Sequence, residues 1–173
     1  MADWCILWAK PSGDIRVTRP NPRQRLPEEP EGQWLDGIAL RTQAANPDLA
    51  DCTRLPDCLL HQLPGRRFRN CWRHDGGAVK PDAALARQQL LAEVREERDR
   101  RLTASDGDKH RLDDIGTATQ KRALADYRQA LRDLPAVVEN RLSMMTVAEL
   151  EAYALGSREE FAEDHPLWPG NPT

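Results

Sequence analysis

The chain has 173 residues, about one domain or one domain with a substantial appendage, and carries 25 Lys+Arg against 28 Asp+Glu for a formal net charge of −3. That balance argues against a protein held to nucleic acid mainly by bulk charge. Of its 68 apolar residues 21 are Ala, Leu, Ile, Val and Phe together number 33, and Ile and Val only ten. So thin a core excludes a large parallel sheet and fits an extended, partner-supported protein better than a compact enzyme.

No stretch approaches the roughly 20 apolar residues of a membrane span. The opening MADWCILWAK has no basic residue before its apolar run and no small-residue cleavage site, so it does not read as a signal peptide. Reduced thiols in a cytoplasm are then expected for Cys5, Cys52, Cys58 and Cys71. Composition shifts near residue 80. Residues 1–80 hold eight of the thirteen Pro, four of the five Trp and every Cys, and read as β-rich. Residues 81–173 read as helical, with a Pro-rich tail.

In chain order, Trp4–Trp8 and Ile15–Thr18 flank Pro11-Ser12-Gly13-Asp14, which predicts a hairpin. Residues 20–33 read as loop. Trp34–Arg41, with Gly37 inside, reads as a second short hairpin or a bulged strand. Residues 46–65 read as loop around Pro47, Pro56 and Pro64, with one helical turn at Cys58–His61. Arg66–His74, Asp75-Gly76-Gly77 and Ala78–Lys80 read as strand, turn, strand.

From Asp82 the stripe Leu85, Leu90, Leu91, Val94, Arg98, Leu102 has helical spacing. The opposite charges of residues 93–101 lie one to four residues apart, as on a solvated helix face. Ser105-Asp106-Gly107-Asp108 should end this helix and begin a loop of about a dozen residues. A second helix is expected from Thr117 to Leu134, stopped by Pro135, with Leu124, Tyr127, Leu131 and Leu134 inward. Thr146–Glu149 is a capping-box pattern opening a helix over 146–155, and Ser157–Glu160 repeats it for a helix over 157–164. The fold class is therefore α+β: a small hairpin-rich region, then a helical hairpin and two short helices.

Candidate chemistry is sparse. Cys58-x-x-His61 and Cys71-x-x-His74 are two pairs of zinc-ligand type, each able to chelate from a single turn. Alternatively the two Cys are small half-buried hydrophobes and the His are surface groups. A Cys71–His74 nucleophilic pair lacks an oxyanion site, and no phosphate-binding glycine loop is present, so no catalytic residue is assigned. Arg66-Arg67-Phe68-Arg69 with Trp72-Arg73 mixes basic and aromatic groups as single-strand binders do, but the rest of the chain is not basic. Trp4, Trp8, Trp34 and Trp168 are candidate partner-binding anchors, because Trp buries a large rigid area. They could equally fill the core.

Two stretches, "LAEVREERDRRLTASD" and "ALADYRQALRDLP", resemble a phage tail assembly chaperone family. The residues that carry the resemblance are Val94, Arg95, Arg98, Asp99, Leu102 and Asp106, then Tyr127-Arg128-Gln129-Ala130-Leu131-Arg132-Asp133-Leu134-Pro135, then Leu167-Trp168-Pro169. "RRFRNCWRHDGGAVKPD" is similar to a strand-turn-strand found in phage tail and tail-fibre assembly proteins. The resemblance implies a non-enzymatic protein that binds other tail, baseplate or tail-fibre proteins. It would act as an assembly chaperone in the host cytoplasm or as an adaptor in the virion tail, with neither membrane nor nucleic acid as partner. The alternative is a small zinc-stabilised module binding nucleic acid or protein.

Overall fold

The structure, a computed structural model, describes residues 3–153, 168–170 and 172. It is α+β, as the sequence implies, and divides into two compact units, residues 1–82 and 83–173. The expected helix over 157–164 lies outside the described residues.

The first unit is built on β1 (Trp4–Ala9), which pairs antiparallel with β2 (Ile15–Thr18). The turn between them closes where Gly13 takes φ +86°, a conformation that suits glycine. Helix α1 (Glu31–Ala45) follows. It replaces the hairpin expected at Trp34–Arg41, because Trp34, Leu35, Ile38 and Ala39 recur at helical spacing and pack on the sheet. The segment expected to be loop around Pro56 is instead β3 (Thr53–Leu59), which pairs antiparallel with β1. The sheet order is β2-β1-β3, so β3 lies at an edge, where proline is tolerated. A single 3-10 turn, Leu60–Gln62, comes directly after it.

β1 is the central strand, and it alternates between two cores. Ile6 and Trp8 pack with Trp34, Leu35 and Ala39 of α1, while Cys5 and Leu7 pack on the opposite face with Ile15 and Trp72. A strand covered on both faces reads as an unbroken apolar run rather than an alternating one. This is the physical content of Cys5-Ile6-Leu7-Trp8. The strand expected from Arg66 begins late: Arg66–Cys71 is 3-10 helix, and only then does β4 (Trp72–Asp75) pair with β5 (Ala78–Pro81) around Gly76 and Gly77. Arg73 of β4 bonds Asp14 of the β1–β2 turn at 2.8 Å, fastening the hairpin to the sheet.

The second unit opens with α2 (Ala83–Ala104) and α3 (Asp106–Ile115), followed by α4 (Ala118–Ser143) and α5 (Val147–Ala152). α2 and α4 run antiparallel. The Arg87 guanidinium near the start of α2 donates to the Leu142 and Met145 carbonyls at 3.0 and 2.8 Å. At the other end Arg128 donates to the Leu102 carbonyl.

Two expectations are corrected here. The loop after Ser105 is mostly α3, whose Asp106 and Asp108 favour the helix N-terminus and whose Leu112 is buried. Pro135 does not stop α4; the helix runs on to Ser143. An interior proline costs about 3 kcal/mol. Burying Val138 and Leu142 on the same stripe returns ~1.5–3 kcal/mol each, and Arg87 satisfies the terminal carbonyls. Thr117 caps α4 reciprocally with Gln120, and Thr146 caps α5 with Glu149 as its sequence pattern indicates.

Gly116 closes α3, and a Cβ there would meet the Leu112 carbonyl oxygen at 2.6 Å, whereas a Cβ on Gly107 within α3 meets nothing. Gly116→Ala should therefore destabilise the protein by about 1–3 kcal/mol. Gly107→Ala should stabilise it by roughly 0.5–1 kcal/mol. Urea melts of the two variants check this opposition in sign.

Candidate functional site

The apolar stripe of α2 runs Leu90, Val94 and then on to Glu97 and Arg101, which are 8% and 7% exposed. The run of charges expected to be a solvated helix face thus turns two of its members inward. Glu97 is held from both sides. Arg101 Nε donates to its carboxylate at 2.8 Å, and Arg100 donates through two nitrogens. Burial pushes the Glu97 carboxyl up, but the hydrogen bonds and charges of the two arginines outweigh it and leave the pKa below the ordinary glutamate value.

The other side of Arg101 is covered by Trp168, whose ring centroid lies 4.5 Å from the guanidinium carbon. Carboxylate, guanidinium and indole form one stack, in which cation–π attraction strengthens as water is removed. A second arginine works one turn further on. Arg128 of α4 donates to the Ser105 hydroxyl and pairs with Asp106 at 2.8 Å, so it binds the corner where α2 gives way to α3. A third cation, Arg141, lies over the Tyr153 ring at 5.2 Å.

Residues 91–173 match the family model described as phage tail assembly chaperone protein. No curated protein and no solved structure matches the chain. The family match supports a role in phage tail assembly; the two helical strings and the Trp168 tail that carry the resemblance fall within the matched stretch, whereas the strand-turn-strand of residues 66–82 lies outside it. The geometry gives its signature a physical reading. Tyr127, Leu131, Leu134 and Pro135 are the buried stripe of α4. Arg128 and Asp106, from the two separate signature strings, meet in an ion pair, and Trp168 of the tail covers Arg101. Gln129, Arg132 and Asp133 bond one another on the exposed side.

The tryptophans named as partner anchors occupy other places. Trp8, Trp34 and Trp168 are 1%, 3% and 5% exposed. Trp8 and Trp34 fill the core beneath α1, while Trp4 is half-buried at its margin. Phe68 is buried, and Trp72 packs in the first unit's core with Cys5 and Leu7.

Of the proposed zinc ligands, Cys58 ends β3 opposite Cys5 and is half-buried, Cys71 is buried, and His61 and His74 are exposed. A strand-to-3-10 junction separates Cys58 from His61, and the reverse junction separates Cys71 from His74, so neither pair shares the single turn that chelation requires. Cys58 and His74 line a common cavity, of about 280 Å³. Among the described residues, no three His, Cys, Asp or Glu gather where they could hold a metal. Burial raises the Cys58 thiol pKa, which disfavours the thiolate that a zinc ligand requires.

Glu97 was not singled out by the sequence, although the spacing 90, 94, 97, 101 places it and Arg101 on the apolar stripe. Its depressed pKa has a consequence for pH. The Glu97 pair contributes stability above the ordinary glutamate value and loses it as pH falls through the folded-state value. Glu97→Gln should flatten the acid limb of a melting-temperature profile, while Glu96→Gln on the exposed side leaves it unchanged.

Proposed function

We propose that this protein is a tail assembly chaperone that works by binding another tail protein through protein–protein contact, without catalysis, and leaves before the particle is finished. The observation that carries this reading is the family match over residues 91–173. The arginines and carboxylates of the matched unit support it. Several are engaged in structural contacts: Glu97 with Arg100 and Arg101, Arg128 with Asp106 and Ser105, and Arg87 with the end of α4.

The same unit leaves Val137 of α4 and Met144, the residue that caps its C-terminus, 63% and 86% exposed and seven residues apart. Side chains at this spacing lie on one side of a helix, and they supply an apolar contact for a tail-protein partner. Half-buried Trp4 is the one tryptophan of the four that still offers surface for such a role. A virion adaptor differs from a chaperone in a single observable, its presence in finished particles. Quantitative mass spectrometry of purified phage should find the protein well below one copy per tail, while infected cells contain it bound to a tail protein. Stoichiometric retention in the particle would establish the adaptor instead. Val137→Asp with Met144→Asp should abolish co-purification with that partner while shifting stability by less than ~0.5 kcal/mol, as exposed substitutions do.

A further inference from the structure

The first unit carries a groove of about 360 Å³ whose lining is divided between apolar and cationic groups. Trp72, 3% exposed, and half-buried Leu60 and Leu63 form its floor, and exposed Arg19, Arg66 and Arg69 stand around it. No acidic side chain lines the groove. We propose that this groove binds an acidic peptide segment of a partner protein, seating one bulky apolar side chain on Trp72 and Leu63 while its carboxylates pair with Arg19, Arg66 and Arg69.

Four observations carry the proposal. Arg66 and Arg69 flank a kink in the 3-10 segment at Phe68, and both line the groove. Phe68 between them is fully buried and anchors the segment. The three arginines make no ion pair with Asp or Glu among the described residues, although Arg54 and Arg73 of the same unit do. Their charge is therefore available to an outside carboxylate, which a guanidinium can grip through two parallel hydrogen bonds. Finally, Trp72, Leu60 and Leu63 give the groove an apolar lining on which one bulky side chain of the peptide can be seated. A nucleic acid fits less well. Residues 1–80 carry only 12 basic against 10 acidic residues, too small an excess for affinity founded on phosphate neutralisation.

The proposal deepens the reading of the protein as a binding protein and rests on it. Peptide binding tests the groove, while particle mass spectrometry and co-purification test that reading, so either can fail without the other. The experiment is fluorescence anisotropy on the full chain with a fluorescein-labelled Asp-Glu-Leu-Glu-Asp probe. Matched probes replace the acids by amides or the Leu by Gly, and a labelled oligo-dT strand reports on nucleic acid. The acidic probe should bind about tenfold more tightly than either control peptide, and Arg66→Glu with Arg69→Glu should remove about tenfold of its affinity. These two side chains are exposed, so the folded fraction should be unaffected, and a melting curve verifies it. Leu63→Ala gives a second, charge-independent loss. Failure of the acidic probe to bind at millimolar concentration, binding that charge reversal leaves unchanged, or tighter binding of oligo-dT would each overturn the proposal.

Discussion

One guanidinium links helix α2 of the helical unit to the tail. Arg101 is almost wholly out of water, bonded on one side to the Glu97 carboxylate and covered on the other by Trp168. A buried charge without a partner would be strongly destabilising, and removing one member of a buried pair typically costs ~3–5 kcal/mol. The three groups therefore depend on one another. The stack also joins residues far apart in sequence, so the tail at Trp168 is tied to α2 by a contact with both an electrostatic and an apolar part.

Arginine recurs as a fastener because the chain has so few large aliphatic residues to spend on packing. Arg87 satisfies carbonyls at the end of α4, Arg128 grips the α2–α3 corner, and Arg73 joins β4 to the β1–β2 turn. Each replaces an apolar contact by hydrogen bonds whose directions are fixed, which specifies register as well as adding stability.

Much of this was legible in the sequence, and the exceptions are instructive. The hairpin at Pro11–Asp14, the β4–β5 turn, the inward face of α4 and the Thr146 cap follow from local patterns alone. The α2 stripe was readable too, but it was followed to Arg98 and Leu102, since charge suggested solvent where spacing placed Glu97 and Arg101 inside. α1 was missed because Gly37 and the short Trp-rich run outweighed the helical spacing of Trp34, Leu35, Ile38 and Ala39. β3 was missed because Pro56 argues against a strand unless the strand is known to lie at an edge, and edges are a property of the whole sheet. Pro135 misled for the same kind of reason: its local cost is real, yet it is offset by burial of Val138 and Leu142 beyond it. The Cys-x-x-His spacings suggested a metal because spacing in sequence says nothing of the junctions between strand and 3-10 turn that separate the ligands in space.

The central claim is that Arg101 and Trp168 act as one energetic unit in holding the matched region together. A double-mutant cycle on thermal stability, using Arg101→Met, Trp168→Leu and the pair, measures this directly. The account predicts a coupling of about 1–2 kcal/mol, since a desolvated cation–π contact is lost once whichever residue is changed. Strictly additive losses would contradict it, and would mean that Trp168 and Arg101 are buried beside one another without depending on one another.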